Sequence, residues 1–421
     1  MENVLSQELA YFDFAGHFLR QDLNILEKAK IFEGVWDGFV EHDALFLKRV
    51  ALNGSGPIRV IWDNYVQKER EMIYLASNDY LNLTNHPKVV AAGQAALAKY
   101  GAGAGSVPLF GGTLDIHVEL EQKIAKFKGC ESALIYTSGF GSNASTLLSL
   151  LQAPDLAILD RLVHASVVDG CAATNVWNFK HNDVADLEKL LVQAQGKYRN
   201  IIVAIDGVYS MDGDIAPLDK IHALTEHYGA MLMIDEAHSS GVIGKNGRGT
   251  PEYFQLEGKI DIVAGTFSKG LGGVGGFIAG KKELIKYLSF YSRGYMFSTA
   301  MAPQTCASLI AALDVVENEP EIRARLWRNI HYFRSKLTEL GFKIGNSETA
   351  IFPIIIGDNL LVNTLCQELH NHNIYVNPVL HPVVPRKLSR LRLSIMSEHT
   401  IAQLDRVLEV LSYLGKKYQL I

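Results

Sequence analysis

The sequence is poor in cysteine: four residues in 421, Cys130, Cys171, Cys306 and Cys366, scattered and without a C-x-x-C pair. That spacing argues against a thiolate zinc site and gives no disulfide framework, so a reducing, cytoplasmic setting is expected and no metal. Excess charge of one sign is also lacking, the net value being −5, which leaves no electrostatic reason to expect nucleic acid as a partner. No uninterrupted apolar run reaches the roughly 18 residues of a membrane helix. The opening "MENVLSQELAYFDFAGHFLRQD" carries acids where a secretory signal carries bases. A soluble chain is expected. Internal repeats and low-complexity segments are missing as well. What is left, at 48% hydrophobic and 20% charged, is an ordinary globular composition with room for two domains.

Glycine, by contrast, is plentiful, and one stretch concentrates it: "GTFSKGLGGVGGFIAG", Gly265 to Gly280. A glycine-rich loop beside a lysine suggests phosphate, yet the Walker pattern needs the lysine after the glycines and a helix following. Here Lys269 precedes them and "FIAG" reads as a strand. The alternative is a plain turn between buried strands with a solvated lysine.

The surroundings decide between these. "ALIY" (Ala133 to Tyr136), "LAILD" (Leu156 to Asp160), "NIIVAID" (Asn200 to Asp206), "AMLMIDEAH" (Ala230 to His238) and "DIVAGTFSK" (Asp261 to Lys269) read as buried parallel strands. Helical stretches such as "DVADLEKLLVQAQ" alternate with them, which predicts a doubly wound α/β sheet with its site at the carboxyl ends of the strands. From about Asp314 the pattern becomes a long helix, then "IFPIIIG", "IYVNPVL" and "RLRLSIM", then a final helix. The expected domains are therefore a helical, amphipathic N-terminal arm over 1–75, a large α/β domain over 76–313 and a small α+β domain over 314–421.

Asp235 and His238 stand at the mouth of one strand and Lys269 at the mouth of the next. A carboxylate there needs a cation or donor to meet it, although capping of a following helix is the plainer reading. Ser138, Gly139 and Phe140 in "YTSGFGSNAS" end a strand and open a helix, whose free amides would seat an anion; a simple helix cap is the commoner use. Together these features ask for a cofactor with one phosphate, a basic ring nitrogen and an aldehyde. Pyridoxal 5′-phosphate fits: Lys269 for the aldehyde, Asp235 for the ring nitrogen and Thr266 for the phosphate, with glycines letting the backbone pass close to cofactor and substrate.

"GTLDIHVELEQKIAKF", "LVHASVVDG", "DGVYSMDGDIAPL", "MIDEAHSSGVIGKNGRG", the lysine loop and "RLRLSIMSEHT" resemble, in order and from about Tyr74 to the C-terminus, the α-oxoamine synthases. That family includes serine palmitoyltransferase, 2-amino-3-ketobutyrate CoA ligase, 8-amino-7-oxononanoate synthase and 5-aminolevulinate synthase. The resemblance implies the aminotransferase-like fold type I, a homodimer with sites at its interface, and decarboxylative condensation of an amino acid with an acyl thioester on coenzyme A or acyl carrier protein. It also implies roles. Lys269 matches the Schiff-base lysine, Asp235 the partner of the ring nitrogen, His164 the imidazole stacked on the ring, His238 the histidine beside the aldimine, and Ser210 the hydroxyl near the ring oxygen. Arg392 matches the arginine that grips the substrate carboxylate and Asn78 its amide helper. Ser298 and Thr299 match hydroxyls that reach the partner subunit's phosphate.

Pro108 departs from the pattern, standing where several members carry arginine. "IYVNPVLHPVVP" and "GTLDIHVELE" look most like bacterial serine palmitoyltransferases, which implies a long-chain acyl donor with serine. Cysteate, in a sulfonolipid pathway, and glycine with an acetyl donor are the alternatives. The amphipathic N-terminal segment would then cover an apolar groove or touch a membrane surface, or simply pack at the dimer interface. An aminotransferase would share Lys269 and Asp235 but not the "HAS", "DEAHSSG" and "GTLDIH" set. A non-catalytic subunit is disfavoured by the presence of Lys269.

Overall fold

The computed structural model describes residues 7–42, 44, 49–63 and 66–421. It divides into two compact units, one of residues 78–210 and 214–325, the other of residues 1–77, 211–213 and 326–421.

The first unit is built on a seven-stranded sheet. Its strands, in chain order, are β1 (Ser132–Tyr136), β2 (Leu156–Asp160), β3 (Asn175–Phe179), β4 (Ile201–Asp206), β5 (Met231–Asp235), β6 (Ile262–Thr266) and β7 (Gly276–Gly280). In space they run β1-β7-β6-β5-β4-β2-β3. Strand β7 is antiparallel to both its neighbours, and the remaining pairs are parallel. Strands β2, β6 and β7 are buried along their whole length, as expected of a sheet covered on both faces. One side of the sheet carries a core that includes Leu147, Leu159, Val167, Ala204, Met233, Ala264 and Ile278. Helix α1 (Gly139–Leu150) packs there, its first turn capped by the Ser138 hydroxyl, which accepts from Gly141 N at 2.9 Å.

Two stretches read as strand through Lys269 and His238 stop earlier, at Thr266 and Asp235. The residues beyond leave the sheet as turns, and those turns carry the functional side chains. Strand β3 was not anticipated; "NVWNF" lies at the sheet edge with most of its residues exposed, so it lacks the apolar run of its neighbours.

The second unit contains a four-stranded sheet of Val50–Ala51, Ile58–Asp63, Lys68–Tyr74 and Ile374–Tyr375, and a three-stranded antiparallel sheet of Ile351–Ile355, Arg390–Ser394 and Asn377–Val379. The expected helical arm over 1–75 is corrected here. Helix Ile25–Glu41 is present, with no buried residue, but the chain then forms antiparallel strands, and Lys68–Tyr74 pairs in parallel with Ile374–Tyr375. Positions 1–6, 43, 45–48 and 64–65 of that arm lie outside the described residues. The stretch expected as one long helix is two, Pro303–Asn318 and Pro320–Leu340, because proline cannot continue the hydrogen-bond ladder. The division between units falls inside the latter helix, not at Asp314.

Among the described residues, no helix is long and apolar enough to cross a membrane. Cys130, Cys171, Cys306 and Cys366 are all free thiols.

Candidate active site

The carboxyl ends of β1, β2, β4, β5 and β6 lead into turns that line one cleft of about 250 Å³, the edge at which open α/β sheets hold ligands. Its walls are Ser138, Gly139 and Phe140 after β1, His164 after β2, Asp206 and Ser210 at and after β4, Asp235 and His238 at and after β5, and Thr266 and Lys269 at and after β6, with Asn143 from helix α1. Nine of the positions expected from the sequence thus meet in a single cavity: Ser138, Gly139, Phe140, His164, Ser210, Asp235, His238, Thr266 and Lys269.

Asp235 forms the floor. Its carboxylate accepts from Asn143 Nδ2 at 2.6 Å and from the Ala237 amide at 2.9 Å. Its register neighbour on β4 is Asp206. That carboxyl receives only the His164 amide, at 3.3 Å. Burial, then the charge of Asp235, push the Asp206 carboxyl well above the usual range. The pair is therefore asymmetric in its surroundings, Asp235 meeting the Asn143 and Ala237 donors and Asp206 the single His164 amide.

The His164 imidazole is turned by its own loop: Nδ1 lies 2.8 Å from Ser166 Oγ and accepts from the Ser166 amide at 3.3 Å. Burial drives its pKa down, so the ring is neutral. The edge of Phe140 meets it at 77°, with centroids 6.2 Å apart. A flat, uncharged ring is thus fixed in the cleft that also holds Asp235, as stacking on a heteroaromatic ring requires.

Lys269 reaches the cleft through a polar chain. Its Nζ is 2.7 Å from His238 Nε2, His238 Nδ1 is 2.6 Å from the Tyr80 hydroxyl, and Tyr80 donates to Asn78 Oδ1 at 3.4 Å. One N–H of Lys269, one of His238 and the Tyr80 hydroxyl can donate in series along this chain. Asn78 accordingly enters the site through Tyr80.

Gly139 and Gly276 are needed where two segments of the protein meet. A Cβ on Gly276 would lie 2.6 Å from Gly139 Cα, and one on Gly139 would lie 2.8 Å from Thr266 Cβ. They seat the first turn of α1 on the ends of β6 and β7, so the close approach they permit is between backbones of the protein itself. The α1 amides are brought alongside Thr266, whose hydroxyl sits 2.8 Å from Ser268 Oγ. That cluster of amides and hydroxyls suits a phosphate.

Three expected residues lie elsewhere. Ser298 and Thr299 line a separate cavity of the same unit together with Pro108, Glu121 and Tyr295. Arg392 belongs to the second unit, where it is buried on strand Arg390–Ser394 and donates to Ser394 Oγ at 3.0 Å. Conversely, Asn143, Tyr80 and Asp206 were missed. Asp206 ends its strand as Asp235 does, and Asn143 follows the helix start by one turn; both signals were available. Among the described residues, no cluster of three or more His, Cys, Asp or Glu could hold a metal.

These features fit pyridoxal 5′-phosphate: a lysine amine, a buried carboxylate and a neutral imidazole in one cleft, with a helix N-terminus in its wall. Comparison with known proteins agrees. Residues 70–411 match the family described as aminotransferase class I and II. The chain is 39% identical to 8-amino-7-oxononanoate synthase of Alkaliphilus metalliredigens over 91% of its length and 96% of that protein. It is 43% identical to 8-amino-7-oxononanoate synthase 1 of Bacillus velezensis over 84% and 91%. Among solved structures, serine palmitoyltransferase from S. paucimobilis superposes with a TM-score of 0.89 at 32% identity, covering 95% of this chain and all of the other. The 8-amino-7-oxononanoate synthase of Francisella tularensis gives 0.72 at 28% identity, covering 83% and 99%. With the lysine, carboxylate and imidazole assembled at the strand ends of a fold type I sheet, the chain belongs to the α-oxoamine synthases, pyridoxal-phosphate enzymes within the class I and II aminotransferase family.

Proposed function

We propose that this enzyme condenses serine, or a close polar analogue, with a long-chain acyl thioester, releasing the thiol and carbon dioxide and giving a long-chain α-amino ketone. The observation that carries the chain length is the superposition on serine palmitoyltransferase over 95% of this chain, at a TM-score of 0.89. A second reading, 8-amino-7-oxononanoate synthase, is favoured by the 39–43% sequence identity to enzymes of that name.

Pyridoxal phosphate, when bound, supplies an electron sink for a carbanion at the amino-acid Cα. The protein's residues do the rest. Asp235, fixed by the donors from Asn143 and Ala237, would hold the ring nitrogen. Lys269 would hold the cofactor's aldehyde and, as a free amine, would be the base that takes the Cα proton, with His238 in hydrogen-bond contact to orient it. Arg392 grips the substrate carboxylate. A Cα–C bond then forms to the thioester carbonyl as the C–S bond breaks and the thiolate leaves. The original carboxylate departs as carbon dioxide, and a proton returns to Cα. Ser298 and Thr299 serve the phosphate of a partner subunit in a homodimer.

The test is a matrix of serine, cysteate, alanine and glycine against palmitoyl, pimeloyl and acetyl thioesters, on coenzyme A and on acyl carrier protein. Serine or cysteate with palmitoyl is expected to turn over fastest. Turnover confined to alanine with a pimeloyl thioester would establish the second reading in its place.

A further inference from the structure

Outside the cleft, one buried polar cluster has no role in the chemistry above. His181 follows edge strand β3 and lies between two aspartates from different parts of the chain. Its Nδ1 is 3.1 Å from Oδ1 of Asp160, at the end of β2, and its Nε2 is 2.8 Å from Oδ2 of Asp214. The Asp160 side chain is fully buried, and that of Asp214 nearly so. The ring stands edge-on to Tyr209, with centroids 4.4 Å apart. Asn182 repeats the bridge, its amide donating to Asp160 at 2.8 Å and its Nδ2 to Asp214 at 2.9 Å.

Each aspartate leads to a side chain of the cleft. Asp160 accepts from the Leu162 amide at 2.8 Å, and its carbonyl from the Val163 amide at 3.1 Å, which shapes the turn that delivers His164. Asp214 accepts from the Tyr209 amide at 3.1 Å through its carbonyl, and a bridge between Val208 and Ile215 closes the hairpin that contains Ser210. We propose that His181 is a positioning residue of the active site: as an imidazolium clamped between Asp160 and Asp214, it ties the His164 turn to the Ser210 hairpin.

The electrostatics agree with this. Burial opposes the charge on His181, but the hydrogen bonds it donates to Asp160 and Asp214, and then their charges, outweigh it and push its pKa up to about 10. The titratable groups facing the ring are Asp160 from β2 and Asp214 and Tyr209 from the hairpin. Without the imidazolium, two buried carboxylates would lie close together with no cation between them, an arrangement that forces either protonation or movement.

The clamp rests on the cofactor site and not on the choice of acyl donor, so it can be read before any substrate is added. In His181→Gln holoenzyme, the visible circular dichroism of the lysine-bound cofactor should fall at least twofold, and the cofactor Kd should rise about tenfold. With whichever substrate pair the matrix identifies, kcat should drop 10- to 100-fold while the amino-acid KM stays within threefold. In His181→Ala, added imidazole should recover a large part of the dichroism and of kcat. If His181→Gln does not fold, Asp214→Asn keeps the shape, removes one clamp charge and should change the dichroic band in the same direction. A lowered Tm with native dichroism and native kcat per bound cofactor, in either variant, would overturn the proposal and leave His181 a stabilising residue only.

Discussion

The hydrogen bond from Asn143 to Asp235 offers the sharpest test of how the protein controls its cofactor. Asn143 is 3% exposed and Asp235 5%, so water does not replace a lost donor. Replacing Asn143 with alanine removes the 2.6 Å bond and leaves only the Ala237 amide on that carboxylate. A hydrogen bond to a charged group contributes about 1.5–3 kcal/mol. If that stabilisation belongs to the ionised form of Asp235, the protonated ring nitrogen loses the same amount, and a barrier raised by it slows turnover roughly 10- to 150-fold. The second Asn143 contact, to Ser166 Oγ at 3.0 Å, is not the cause, because Ser166 keeps its contact with His164. The assay is kcat for Asn143→Ala, with the pH titration of the visible band recorded alongside. The control is Ser166→Ala, expected to reduce kcat less than tenfold. An Asn143→Ala enzyme within twofold of native kcat and with an unshifted band would refute the argument, since the carboxylate would then need no help from the helix.

The remaining predictions concern both units. Lys269→Ala is expected to lose the visible band of lysine-linked cofactor and all turnover; a surviving band in the purified variant would remove Lys269 from its role. Arg392→Ala should raise the amino-acid Kd at least tenfold with the cofactor band unchanged, measured by titrating the band with serine; equal affinity would place the carboxylate elsewhere. His370 and His399 are almost fully buried, and burial first of all lowers their pKa values to about 3 and about 4. Both bind protons less well folded than unfolded. The protein should therefore lose stability as pH falls from about 6.5 towards 4, by about 1.4 kcal/mol per pH unit for each histidine. Urea unfolding between pH 7 and 5 measures this, and His399→Asn should flatten the slope by nearly one proton; an unchanged slope would show that carboxylates alone set it.

What could be read in advance follows from where the information lies. Strands β2, β4, β5 and β6 are short apolar runs ending in a polar residue, so their positions and the residues at their mouths were legible without any partner. Ile58–Asp63 and Lys68–Tyr74 were not, since the second reads "KEREMIY" and gains its place by pairing with Ile374–Tyr375, some 300 residues away. Tyr80 escaped notice for a related reason. It lies close to Asn78 in sequence, but only the folded chain brings its hydroxyl to His238. The clamp at His181 shows the same limit, for "FKHND" reads as an exposed polar turn until Asp160 and Asp214 are seen on either side.

Strand β7, antiparallel between β6 and β1, has a consequence for catalysis. The Lys269 loop leaves the sheet at Thr266 and re-enters it at Gly276, and those two residues are register partners. Both ends of the loop are thus anchored at one rung of the ladder, while Gly272 is turned back onto the Lys269 carbonyl at 2.9 Å. An amine released from such a loop can swing only as far as its own four methylenes allow. Such a tether gives the amine an effective concentration no lysine on a mobile loop could match, which suits the anchoring and base roles proposed for Lys269.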